Sequence, residues 1–100
     1  MKVNINSVHF KADKKLHTFI EQKVDKLAVF YDGIISSDVS LKVGNQADRE
    51  NKLAEIRLYI KGYDLFASKQ CNTFEEATDQ AIDALKKQLT KHKDKSRKKY

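Results

Sequence analysis

The sequence predicts an α+β fold: a β-α-β-β-β-α two-layer sandwich, with a four-stranded sheet carrying both helices on one face. Three observations lead there. Four short segments alternate apolar and polar residues with a period of two. Two longer segments repeat apolar residues every three or four positions, the spacing of a helix with one buried side. Finally, 100 residues with no proline and only three glycines leave no linker to divide the chain.

The elements follow in order. Val3, Ile5 and Ser7 alternate with Asn4 and Asn6, then Val8 and Phe10 follow, giving a first strand. Asp13 suits the N-cap of the next element, because its carboxylate can accept a free backbone N–H. Leu16, Phe19, Ile20, Val24, Leu27, Phe30 and Tyr31 then mark an amphipathic helix. It is expected to end near Asp32-Gly33, with Gly33 as a left-handed cap. Val39, Leu41 and Val43 give a second strand. Ala54, Ile56, Leu58 and Ile60 give a third, and Lys61-Gly62-Tyr63-Asp64 a tight turn. In the fourth strand Leu65, Ala67, Lys69 and Cys71 share one phase of the alternation. Such alternation predicts antiparallel pairing with one face covered. Thr73-Phe74-Glu75-Glu76 reads as a capping box, after which Phe74, Thr78, Ala81, Ile82, Leu85 and Leu89 form the stripe of the second helix.

Charge is concentrated at one end. Ala84 to Tyr100 holds eight basic residues and one acid, Asp94, for a net +7. The first 83 residues hold 12 basic and 13 acidic residues, a net −1, which accounts for the total of +6. The last helix begins acidic, with Glu75, Glu76 and Asp79, and ends basic, matching its macrodipole. A near-neutral domain with a basic helical end suits a polyanionic partner.

Placing residues at roughly 100° per step sorts these charges. On the first helix Lys15 and Lys26 share a side with Gln22, and Lys23 lies between them and the apolar stripe. On the last helix Lys87, Lys91 and Lys98 lie opposite the core stripe. Lys86, Lys93 and Arg97 fall on one shoulder and Lys95 on the other. The plain alternative is a solvated charged face. Against it stands the shortage of acids nearby, which leaves few internal ion pairs. Lysines bind phosphates chiefly by counterion release and lack the planar fork that reads guanine, so backbone shape rather than base sequence is the expected target.

Other classes fit less well. His9, His17 and His92 sit on separate elements, and Cys71 on a fourth, with no metal-ligand spacing among them. There is no phosphate-cradling glycine loop and no nucleophile motif. Cys71 shares a strand face with Leu65 and Ala67 and reads as buried packing. His92 falls near the core stripe and reads as a cap on the apolar face. Neither an enzyme nor a cofactor or small-molecule substrate is expected. No apolar run approaches the roughly 18 residues of a membrane span, and no signal peptide is evident, so a cytoplasmic protein is expected. The basic helix needs its apolar stripe for the core, which argues against a membrane-surface role. An RNA-recognition-motif fold would end β-α-β and carry paired strand aromatics, whereas Tyr59 is a lone candidate. A generic structured-RNA binder remains the nearer alternative.

Gln88-Leu89-Thr90-Lys91-His92-Lys93-Asp94-Lys95 resembles the C-terminal signature of the ribosome hibernation-promoting factors, the family that includes ribosome-associated inhibitor A. The wider pattern from Ala77 through Ala81-Ile82-Asp83, Leu85 and Gln88-Leu89 also resembles that family, as does Lys23-Val24-x-Lys26-Leu27-x-x-Phe30. The resemblance spans essentially the whole chain. It implies a sandwich similar to the double-stranded-RNA-binding fold. It also implies binding to the small ribosomal subunit and its ribosomal RNA, in the channel that messenger RNA and the A- and P-site transfer RNAs use. Translation would be blocked sterically in stationary phase or stress. By position it implies Lys23, Lys26, Lys87, Lys91, Lys93 and Lys95 as RNA contacts, with Lys86 beside them. Residues 1–95 would form one ribosome-binding domain, monomeric when free, and 96–100 a disordered basic tail. Ending at Tyr100, the chain is expected to be the family's short form, without the C-terminal domain that pairs ribosomes.

Overall fold

In the computed structural model the chain runs β1 (Lys2–Val8), α1 (Lys14–Phe30), β2 (Ile34–Val43), β3 (Lys52–Ile60), β4 (Tyr63–Cys71) and α2 (Phe74–Arg97). The structure describes residues 2–8, 10–44 and 49–97, of which 93–97 are described as helical backbone only. The predicted order of elements is present in full.

The four strands lie in the order β1-β2-β3-β4. β3 pairs antiparallel with both β2 and β4, but β1 pairs parallel with β2, Lys2 standing opposite Ser36 and Val8 opposite Lys42. The antiparallel expectation therefore fails for β1. The reason is the 17-residue α1, which carries the chain back to the end where β1 began, so β2 starts in the same direction. Alternation reports one covered face and is silent on strand direction.

α1 starts where predicted: the Asp13 carboxylate accepts the Leu16 backbone N–H at 2.8 Å. Its end differs. Tyr31 is already extended at φ −145°, and its N–H donates to the Leu27 carbonyl. Gly33 is not left-handed; among the described residues the glycine with positive φ is Gly62, at 73°, in the β3–β4 turn. Gly33 is suited to its place for another reason, since a Cβ there would lie 2.6 Å from the Tyr31 ring. β2 begins earlier than the alternation suggests, at Ile34. A register shift between Ile34 and Ser36 turns Ile35 outward, while Ser37 keeps the inward phase of Val39 and Leu41. Thr73 caps α2 by accepting the Glu76 N–H at 3.1 Å, which is the forward half of the capping box. α2 continues to Arg97, so Ser96 and Arg97 are helical where a tail was expected; residues 98–100 lie outside the described residues.

The core is the layer between helices and sheet. Ile20, Val24 and Leu27 of α1 and Ala77, Ala81, Leu85 and Leu89 of α2 are buried against Leu41, Ala54, Ile56 and Leu58. α1 lies over β1 and β2, and α2 over β3 and β4. Phe10 stacks on Phe74 at one end, Lys23 meets Asp79 midway, and Tyr31 meets His92 at the other end. Those contacts place α1 and α2 side by side and running in the same direction.

Candidate nucleic-acid interface

The core stripe of α2 decides where its charges go. With Phe74, Ala77, Thr78, Ala81, Ile82, Leu85 and Leu89 buried, the intervening residues must face outward. Lys87 and Lys91 are exposed and Lys86 is half-buried. Among the described residues none of the three has a carboxylate within ion-pairing distance. Lys93 and Lys95 fall on the helical backbone, but their side chains lie outside the described residues.

Lys23 is engaged within the protein. Its ammonium lies 3.2 Å from the Asp79 carboxylate and 5.4 Å from the centre of the Phe19 ring. Asp79 thus marks the side of α2 that faces α1. Lys86, seven residues later, returns to nearly the same side after two turns. Lys26, one turn beyond Lys23, is exposed beside Gln22, Asp25 and Val29. Lys26 and Lys86 therefore belong to the α1 side of α2.

Lys87 and Lys91 belong to the other side. A groove there runs between α2 and the outer edge of β4. It holds two pockets with no lining residue in common, one lined by Lys69, Gln80, Asp83, Ala84 and Lys87 and the other by Tyr63, Leu65, Gln88, Lys91 and His92. The Gln88 side-chain amide spans it, donating to the Phe66 carbonyl at 2.8 Å. Of the lysines named from the sequence, Lys86 thus lies on one flank of α2 and Lys87 and Lys91 on the other.

Two features of this flank are absent from the sequence reading. Lys69 falls in the inward phase of β4, which would bury it; instead it is exposed, because β4 is an edge strand and its lysine stem can reach past the helix to water. His92 does not merely cap the core. It stacks on Tyr63 at 5.5 Å and 13°, and meets Tyr31 edge-on at 6.1 Å. The pairing of Tyr63 with His92 joins a turn to a helix 29 positions later, and no local pattern signals it.

The open face of the sheet has a different character. Asp38 accepts from Asn4 at 3.0 Å and from Tyr59 at 2.7 Å. These two bonds hold the Asp38 carboxyl below the ordinary carboxylate range, and the same bond holds the Tyr59 phenol above its ordinary value. Tyr59 is therefore a structural partner on this face. Arg57 pairs with Asp64 at 3.3 Å and lies over the Phe66 ring at 4.9 Å, and Lys42 pairs with Glu55 at 3.1 Å. Lys42 and Arg57 on this face are each paired with a carboxylate, whereas Lys86, Lys87 and Lys91 of α2 have none among the described residues. A polyanion is favoured on the helix side.

Cys71 is buried, as its strand phase predicts, and burial pushes its thiol up, with Glu76 and Glu50 adding to the shift. Among the described residues no group of His, Cys, Asp and Glu could hold a metal ion, and no helix is long and apolar enough to cross a membrane.

The comparisons with known proteins agree with this architecture. The family described as Sigma 54 modulation protein / S30EA ribosomal protein matches residues 3–97. The ribosome hibernation promoting factor of Klebsiella oxytoca is 33% identical over 95 residues, which cover 95% of this chain and 96% of that protein. The factor of the same name from Escherichia coli K12 is also 33% identical, with the same coverage. Among solved structures, a ribosomal subunit interface protein from Coxiella burnetii superposes with a TM-score of 0.82 at 16% identity, covering 93% of this chain and 98% of that one. The Thermus thermophilus Protein Y N-terminal domain gives 0.79 at 19% identity, covering 92% and 99%. These two likenesses establish the fold. Matched over nearly its whole length, the chain belongs to the Sigma 54 modulation protein / S30EA ribosomal protein family, that of the ribosome hibernation promoting factors.

Proposed function

We propose that this protein is a cytoplasmic ribosome hibernation factor. It docks on the small ribosomal subunit in the channel used by messenger RNA and the A- and P-site transfer RNAs, and silences idle ribosomes in stationary phase or stress. The observation that carries this reading is the unmatched charge of α2: Lys86, Lys87 and Lys91 have no ion-pair partner among the described residues, while Glu75, Glu76, Asp79 and Asp83, four of the helix's five acids, lie in its first half. The names of the relatives add support for a ribosomal partner.

The mechanism is occupancy. The sheet and its core form a rigid support, and lysines of the two helices neutralise ribosomal RNA phosphates. No bond is made or broken and no cofactor takes part. Each phosphate contact releases counterions, so affinity falls with salt at a log–log slope on the order of −0.7 to −0.9 per contact, the range from single strands to B-form duplex.

Chemical footprinting of purified ribosomes with and without the protein tests the reading. Protection confined to the A- and P-site channel of the small subunit is the expected result. Diffuse protection, or none, would leave a structured-RNA-binding domain that acts off the ribosome.

A further inference from the structure

We propose that the groove between α2 and the outer edge of β4 binds a single strand of RNA, with phosphates on Lys69, Lys87 and Lys91 and one unpaired base stacked on Tyr63. This rests on the RNA-binding reading above, which already uses Lys87 and Lys91, and deepens it by adding Lys69 and Tyr63 to that flank and by naming its ligand class.

Three observations carry it. First, the three lysines are exposed along the seam between α2 and β4, Lys69 and Lys87 at one pocket and Lys91 at the other, and lack ion-pair partners among the described residues, although Asp83 lines the first pocket too. Lys87 and Lys91 are one turn apart, about 6 Å along the helix axis. Lys69 reaches the same groove from the sheet, so the cations come from two elements.

Second, a flat ring stands exposed at the pocket that Lys91 lines. Tyr63 is 53% exposed and is backed by His92 in a nearly parallel stack. His92 is held in turn by the edge of Tyr31. A ring fixed in this way loses little freedom when a base is added to the stack. Every base has a π-face, so such a platform is sequence-tolerant.

Third, the combination selects the ligand. A duplex offers phosphates but keeps its bases stacked inside. An acidic polypeptide offers carboxylates but lacks a large planar group on each unit. A single RNA strand offers both together. Gln88 occupies the Phe66 carbonyl on the β4 edge, so that backbone position is satisfied without an added strand and the groove is left to side-chain contacts.

The test uses the full chain and a single-stranded oligoribonucleotide of about ten nucleotides carrying 2-aminopurine, within the usual site size, alongside the matching blunt duplex. The native protein is expected to bind the single strand more tightly than the duplex and to quench the 2-aminopurine. Tyr63→Leu should abolish the quench and weaken binding on the order of fivefold or more. Lys69→Gln should keep the quench but reduce the log–log salt slope by about 0.7. Equal affinity for duplex and single strand, no binding of either, or wild-type behaviour in both variants overturns the groove. Lys69 is an exposed edge residue, so its variant keeps the test decisive if Tyr63→Leu folds poorly. Co-sedimentation with small subunits is measured in parallel: failure of the native protein there removes the hibernation reading alone, and the oligonucleotide measurements still decide the groove.

Discussion

Lys23 of α1 and Asp79 of α2 meet at 3.2 Å, Nζ to Oδ1, across the seam between two helices that run in the same direction. The pair joins a basic residue of one helix to the acidic first half of the other. Farther along α2, Lys86, Lys87 and Lys91 have no such partner among the described residues. Side-chain exposure of 32% and 50% means the pair is solvated and can open at little cost.

For Lys23 to touch RNA it must leave Asp79. Asp79→Asn removes that competitor together with one negative charge. Small-subunit affinity at low salt is expected to rise, by up to about fivefold, the scale of an exposed ion pair. Weaker binding by this variant would show that Lys23 acts by holding the helices together. Sedimentation binding at two salt concentrations distinguishes these outcomes.

Lys87→Glu combined with Lys91→Glu places two acids where phosphates are expected. Both positions are exposed and outside the core, so the melting temperature should move by no more than a few degrees, as for ordinary surface changes. Small-subunit binding should be lost. Normal binding by the double variant would remove this flank of α2 from the interface.

Asp38 and Tyr59 predict the pH dependence of stability. The folded pKa of Asp38 is lowered, chiefly by the Asn4 bond and then by the Tyr59 bond, so its contribution is present above the unfolded carboxyl value and is lost as pH falls through the folded one. The folded pKa of Tyr59 is raised, so its contribution is full below the unfolded phenol value and is lost as pH rises through the folded one. The network therefore stabilises the sheet between those acid and alkaline limits. Asp38→Asn should flatten both limbs of a plot of denaturation midpoint against pH, and an unchanged profile would remove the network from the account.

Cys71 is 3% exposed with its thiol pushed up by burial. At neutral pH a thiol reagent should label it at the rate of global or local opening, and its labelling should accelerate with denaturant. Rapid native labelling would show that the β4 end frays.

The sequence reading recovers what depends on short range. Asp13 as a cap, the α2 stripe from Phe74 to Leu89, and the inward set Ala54, Ile56, Leu58 and Ile60 all follow from local periodicity. The start of β2 is not legible in the same way, because a bulge between Ile34 and Ser36 leaves the apolar Ile35 facing water while the polar Ser37 takes the inward phase of Val39 and Leu41. Parallel pairing of β1 is equally hidden, since both directions give the same alternation. For the candidate interface, the exposure of Lys26, Lys87 and Lys91 is legible from helical angle. The Lys23–Asp79 pair, the emergence of Lys69 past an edge strand and the Tyr63–His92 stack depend on which elements become neighbours. One-dimensional spacing does not encode that adjacency.

The acid-to-base gradient along α2 also governs how the molecule meets its target. With 24 residues the helix is roughly 36 Å long, whereas at physiological ionic strength electrostatic screening acts over about 8 Å. A polyanion near the basic end is therefore shielded from the acids at the far end. An encounter at the basic end is attractive, one at the acidic end is repulsive, and the difference exerts a turning torque only over the last nanometre of approach. Diluting the salt extends that range and makes capture faster without altering a single contact in the final complex.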